Sequence, residues 1–99
     1  SASDFGDNMQ ALVDGILFKF PNAQILVAYP TPTTDATNDA RQVTYGAEID
    51  ALTGVDTVVD MRTGHNPGTM LDDTVHPSAA GHAHIASKWA AAITLAGEP

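Results

Sequence analysis

Apolar residues fall at Phe5, Met9, Leu12, Val13, Ile16, Leu17 and Phe20, at steps of four, three and one. That spacing puts them on one face of a helix. Asp4 or Ser3 is placed to cap the start, and Asp7 suits the positive end of the helix dipole. Pro21 ends the segment and Asn22 turns the chain. Residues 23–29 (Ala-Gln-Ile-Leu-Val-Ala-Tyr) are then apolar almost without interruption. So short a run, with Ile and Val in it, predicts a strand buried on both faces. Pro30, Thr31, Pro32 and Thr33 break it, and polar residues continue the loop through Asn38.

A second helix is predicted over 39–52, with Val43, Ala47, Ile49 or Ala51, and Leu52 facing inward and Gly54 as its C-cap. Residues 55–61 (Val-Asp-Thr-Val-Val-Asp-Met) read as a second strand, and 62–71, with two glycines and a proline, as a loop. A third helix is predicted over 77–95. Pro77 sits in its first turn, Ile85, Trp89, Ala92 and Ile93 form its inner stripe, and Gly97 stops it. Helices alternating with strands imply parallel pairing and a layered α/β fold. No repeat, charge block or linker divides the chain. Two buried strands do not make a sheet, since each needs neighbours on its edges. The chain is therefore expected to supply part of a domain and to need a partner.

Composition narrows the partners. Hydrophobic residues are 43% of the 99, enough for a core, and only 16% are charged. Twelve acidic residues against Lys19, Arg41, Arg62 and Lys88 give a net charge of −8. Clustered cations for phosphate contacts are missing, which argues against a nucleic-acid ligand and against docking on anionic lipid. Neutral or cationic partners, such as carbohydrate or small esters, fit better. Without cysteine there is no disulfide, thiolate nucleophile or cysteine zinc site. No apolar run approaches the ~20 residues that span a bilayer. The chain opens on Ser1 rather than Met, so removal of an upstream stretch is expected.

The chemistry is concentrated in Leu71-Asp72-Asp73-Thr74-Val75-His76-Pro77-Ser78-Ala79-Ala80-Gly81-His82. Asp73 and His76 are three apart in a loop that ends where a helix begins, and Pro77 restrains His76 toward extended backbone. Such a loop can fold the carboxylate back onto the imidazole Nδ1. That fixes the tautomer and leaves Nε2 outward as a base, two-thirds of a Ser-His-Asp triad. The loop also leaves the second strand at the carboxyl edge of a parallel sheet, where ligands bind in such folds.

In that block the sequence resembles the SGNH, or GDSL-type, hydrolases: Asp73-Thr74-Val75-His76-Pro77, then Gly81 and an Ala-rich amphipathic helix, looks like the family's last motif. Phe-Pro-Asn-Ala at 20–23, Gln-Ile-Leu-Val-Ala-Tyr-Pro-Thr-Pro at 24–32 and Val58-Val59-Asp60 are similar to its helix, strand and last strand. Thr74 stands where the family often has Gly. Asp72 precedes Asp73, and the three-residue spacing to His76 favours Asp73.

The resemblance implies a three-layer, flavodoxin-like α/β fold with a parallel sheet, of which residues 1–99 supply the C-terminal half of a single domain. It implies an ester hydrolase in which Asp73 orients His76 and His76 serves a serine. The family's Gly-Asp-Ser nucleophile block, with the Gly and Asn of its oxyanion hole, is not in this sequence. Ser1, Ser3, Ser78 and Ser87 lack its context, and Gly6-Asp7-Asn8 is not its Asn block. A companion polypeptide is expected to carry them. The expected substrates are small acyl esters, with acetylated polysaccharide favoured over lysophospholipids and thioesters, and the expected location is extracellular. No metal or organic cofactor is implied.

Val75, Pro30 and Thr31 are the candidates for lining the substrate pocket. Asp72 reads as a solvated carboxylate, and His65 as a loop residue near the cleft. His82 and His84 lie about 200° apart around a helix, so they do not share a metal with each other, and His76 precedes the helix. Trp89 at helical spacing from Ile85 and Ile93 reads as core. From a different class, a non-catalytic binding or assembly module that kept the fold would carry the same residues. A Gly-Asp-Ser segment on a companion chain separates the two. A phosphate-binding α/β domain lacks its Gly-rich loop here.

Overall fold

The computed structural model describes residues 1–95. The element order is α1 (Ala2–Lys19), β1 (Leu26–Ala28), α2 (Ala36–Asp50), β2 (Thr57–Val59), α3 (Pro67–Met70) and α4 (Ala79–Leu95). β1 and β2 pair in parallel, Leu26 opposite Thr57, Val27 opposite Val58 and Ala28 opposite Val59. The chain is thus mixed α/β with a two-stranded parallel sheet. Among the described residues, no helix is long and apolar enough to cross a membrane.

Helix α1 follows the apolar spacing but begins earlier than the sequence suggests. Ser1 is its N-cap, its hydroxyl accepting from the Asp4 N–H, so neither Asp4 nor Ser3 caps it. Its face is also narrower. Val13 is buried, whereas Leu12 and Phe20 are exposed, because α1 rests chiefly on the single helix α2. Phe5 stacks on Tyr45 of α2 at 4.6 Å between ring centres. The Gln10 side chain both donates to the Thr53 carbonyl and accepts from the Thr53 N–H, at 3.0 Å each. Gly54, just beyond, has φ +87°, and a Cβ there would press on Leu17 and Val13.

Helix α2 starts at Ala36, inside the stretch expected to be loop. Asp35 caps it by accepting the Asn38 N–H at 3.0 Å, a local bond stronger than the Pro- and Thr-rich composition suggests. Ile49 is buried as expected, but Val43, Ala47 and Ala51 are exposed and Leu52 lies past the helix, half-buried. Gly46 is the other buried position, because the Tyr29 ring packs against it.

Both strands are three residues long, shorter than the runs 23–29 and 55–61 suggest. Of their residues only Val59 is buried. Burial on both faces requires flanking strands and two covering layers, and here one strand pairs with one. Side chains alternate along a strand, so Leu26, Ala28 and Val59 share a face. Val59, Met61 and Ala92 form the buried core, and the half-buried Leu26, Ala28, Ile85 and Trp89 pack against it. Trp89 is half-buried against this core, on the side its spacing implies, while Ile93 is 39% exposed because α4 runs past the narrow sheet. The loop predicted over 62–71 contains the single turn α3. Helix α4 begins at Ala79 rather than Pro77, since Pro77 is drawn into an antiparallel bridge with Leu71. Gly97 lies outside the described residues.

Candidate active site

The segment from Leu71 to Ser78 is built by its own hydrogen bonds. The Leu71–Pro77 bridge closes it, and inside that bridge the Asp72 N–H donates to the His76 carbonyl at 2.8 Å. Ser78 anchors the exit. Its N–H donates to the Met70 carbonyl, its hydroxyl donates to the Thr69 carbonyl at 2.7 Å, and the same oxygen accepts the Gly81 N–H. Ser78 thus caps α4 from a position already fixed by α3, which accounts for the helix starting at Ala79. Gly81 is required where α4 meets this loop, because a Cβ would overlap the Met70 carbonyl oxygen, a backbone atom that cannot rotate aside.

Within this frame Asp73 folds back on the residues that follow it. One carboxylate oxygen, Oδ1, accepts the N–H groups of Val75 and His76 at 2.8 and 2.7 Å. The other, Oδ2, lies 2.6 Å from His76 Nδ1. These bonds, led by that from the His76 N–H and followed by those from the Val75 N–H and the imidazole, hold the carboxyl down at about 2. Asp73 is therefore ionised across the neutral range, and Nδ1 carries its proton toward it. The arrangement leaves Nε2 as the basic lone pair, and among the described residues no side chain or backbone group hydrogen-bonds it. The pair is open to solvent, the His76 side chain 75% exposed and that of Asp73 54%.

The expected pocket residues are placed less closely. Val75 lies in the loop itself, 48% exposed. Pro30 and Thr31 are half-buried in the connection after β1, at the same carboxyl edge of the sheet. Among the described residues that connection reaches the loop through one hydrogen bond, the Thr34 N–H to the Thr74 carbonyl at 3.2 Å. A separate concavity of about 220 Å³ lies between β2 and α4, lined by Val58, Val59, Lys88, Ala91 and Leu95 among others. It includes none of Val75, Pro30, Thr31, Asp73 and His76.

The remaining histidines lie away from this pair. His84 Nε2 pairs with the Met61 carbonyl at 3.0 Å, and His82 is exposed. His65 meets the His84 ring edge-on at 5.4 Å. Both its ring nitrogens are buried without a hydrogen-bond partner, as is Arg62 Nη1. Burial first, then the neighbouring His84 and Arg62, pushes the His65 imidazole below its usual value.

An ion pair that local spacing does not reveal lies at the same edge. Arg62 Nη2 donates to Asp39 Oδ2 at 2.7 Å, both side chains about a quarter exposed. The Arg62 guanidinium holds the Asp39 carboxyl below the usual range. The available signal was the placement of Arg62, one of four cations, directly after a strand at the edge where α/β folds put their chemistry. Comparison with protein-family models, with curated proteins and with solved structures finds no match.

Proposed function

We propose that this chain supplies the histidine and aspartate of a serine ester hydrolase of the SGNH type, completed by a companion polypeptide that carries the serine and the oxyanion-hole Gly and Asn. The observation that carries the reading is the 2.6 Å contact between Asp73 Oδ2 and His76 Nδ1, with Asp73 Oδ1 locked by two backbone N–H groups. This is the orienting half of a triad, with a single tautomer and a free Nε2.

Nε2 takes the proton of the serine hydroxyl as its oxygen attacks the ester carbonyl. The tetrahedral oxyanion is held by the companion's donors. His76 then gives that proton to the departing alcohol, leaving an acyl-serine. A water loses its proton to Nε2, attacks the acyl carbon, and the acid leaves as the serine recovers its proton. Asp73 stays ionised throughout and steadies the imidazolium.

Two features support a companion. A dyad this open to water lacks the walls that position an ester and exclude solvent. The radius of gyration, 14.5 Å, also exceeds the roughly 13 Å of a self-contained domain of about 100 residues. A companion strand beside β1 or β2 would extend the sheet toward the three-layer fold. The acidic chain, with only four cations, favours neutral substrates such as small acyl or acetylated carbohydrate esters, in an extracellular setting. Val75, Pro30 and Thr31 would line the acyl side of the cleft.

Intact-mass analysis of the purified protein tests the companion, and a second polypeptide bearing a Gly-Asp-Ser segment is expected. In the completed enzyme, His76→Ala is expected to lower p-nitrophenyl acetate hydrolysis by at least ~10³-fold with the fold retained. Normal turnover in that variant refutes the assignment.

A further inference from the structure

Three connections meet at the carboxyl edge of the sheet, and one carboxylate touches two of them. Asp39, in the first turn of α2, accepts the Thr33 N–H on Oδ1 at 3.1 Å and the Arg62 guanidinium on Oδ2 at 2.7 Å. Thr33 belongs to the connection after β1 and is buried, its hydroxyl donating to the Asp35 carbonyl. Arg62 belongs to the connection after β2, where Asp60 accepts the N–H groups of Arg62 and Thr63 and so fixes the backbone from which the guanidinium extends.

The third connection is the dyad loop. Thr34, next to Thr33, donates its N–H to the Thr74 carbonyl, and Thr74 stands between Asp73 and Val75. The other hydrogen bonds of the dyad loop are internal or run to α3 and α4. Among the described residues, the Thr34–Thr74 bond is the one hydrogen bond tying that loop to the connection after β1. The loop can build its Asp73–His76 contact alone, but its own bonds do not say where over the sheet that contact sits. Placement matters, since an error of about 1 Å in a reacting group can cost ~10²-fold in rate.

We infer that Asp39 is a positioning residue: by fastening Thr33 to Arg62 it holds Thr34 against Thr74 and sets the place of His76 relative to the sheet. This inference rests on the reading of Asp73 and His76 as a catalytic dyad. The carboxylate, rather than any polar group, is needed because a half-buried guanidinium left without its anion would be costly. Held ionised by Arg62, Asp39 keeps both contacts through the neutral range.

The test compares Asp39→Ala with Asp39→Asn on the purified protein, with the companion bound where one copurifies. Hydrogen exchange of the Thr34 amide and the His76 Nδ1 proton resonance are read by NMR, and kcat and KM by ester hydrolysis. In Asp39→Ala, Thr34 exchange is expected to speed up at least ~10-fold while the amides of β1 and β2 hold their protection. The Nδ1 resonance should persist, because Asp73 is held locally. The value of kcat should fall ~10-fold or more with KM little changed.

Asp39→Asn keeps an oxygen for Thr33 and is expected to fall between wild type and the alanine variant. It also serves alone if the alanine variant does not fold. Unchanged Thr34 exchange in the folded variants overturns the inference, and so does a rise matched by the strand amides, which would mean general loosening. An active His76→Ala enzyme overturns the dyad and the clamp together. An inactive His76→Ala enzyme beside an Asp39 variant with unchanged Thr34 exchange overturns the clamp alone.

Discussion

The dyad loop and the strand pair beneath it are held in opposite ways. Between Leu71 and Ser78 most polar contacts join residues close in sequence: Asp73 to Val75 and His76, Asp72 to His76, Ser78 to Gly81. The strand pair depends on distant segments, Leu26 and Ala28 meeting Val59 and Met61, with α4 closing over them. The loop is exposed and yet fixed. The strands are central and yet only half-buried. Local hydrogen bonds can therefore prepare a chemical group without a core, whereas a sheet gains its stability only when enough apolar area is removed from water. The Asp73–His76 contact is already formed by local bonds, while the strand pair beneath it is short of covering neighbours.

The largest effect should come from the distant kind of contact. Met61 is 3% exposed and joins β2 to α4 in a core with few fully buried members. Met61→Ala is expected to cost about 2–5 kcal/mol, as core truncations of this size do. Measured by urea titration, that should shift the unfolding of the strands and α4 to clearly lower urea. A loss below about 1 kcal/mol would mean that β2 and α4 do not share this core, and the contrast between the two regions would fail.

How much of this was legible in the sequence follows the same division. Asp73 and His76 could be paired from the sequence because three residues and a following proline are enough to bring them together. Helices α1 and α4 showed in their apolar spacing. Helix caps were less visible: Ser1, Asp35 and Ser78 do the capping, and several polar residues compete at each start. The extent of the strands was not legible, since an apolar run records what can be buried and not how many neighbours arrive to bury it. Val43, Ile93 and Leu12 fit a helical face but are exposed for the same reason. The Asp39–Arg62 pair, 23 residues apart, has no local signature at all. Only the parallel pairing of β1 and β2 brings its two connections to one edge.

A milder challenge separates the regions by pH. The Asp73 carboxyl sits at about 2 in the folded loop against an ordinary 3.8. A depressed value means that the charged form favours the native loop. Its contribution is complete above the ordinary value and is lost as pH falls through about 2. NMR between pH 5 and 2 should show the Val75 and His76 amide resonances moving to unstructured positions while those of β1 and β2 persist. Asp73→Ala should show the same loosened loop already at neutral pH. If loop and strands lose their dispersion together, the loop is not the self-supporting unit its bonds describe.

The smallest effect lies at the junction. Tyr29 directly follows β1, its N–H still donating to the Val59 carbonyl, and it begins the connection that carries Thr33 and Thr34. Its hydroxyl donates to Asp50 at the end of α2, and this bond, helped by burial and by the charges of Asp50 and Asp60, raises the phenol to about 12. Here the neutral form is the favoured one. The contribution is present below the ordinary 10 and disappears as pH rises through about 12, opposite in sign to Asp73. Ultraviolet titration of the phenolate should place Tyr29 near that upper value, and Asp50→Asn should return it toward 10 with only a slight loss of stability at neutral pH. A Tyr29 that titrates at 10 in the parent protein would free β1 from α2 at its carboxyl end. The connection to Thr74 would then have to be held by Asp39 alone, which would sharpen the dependence of the dyad's position on that single carboxylate.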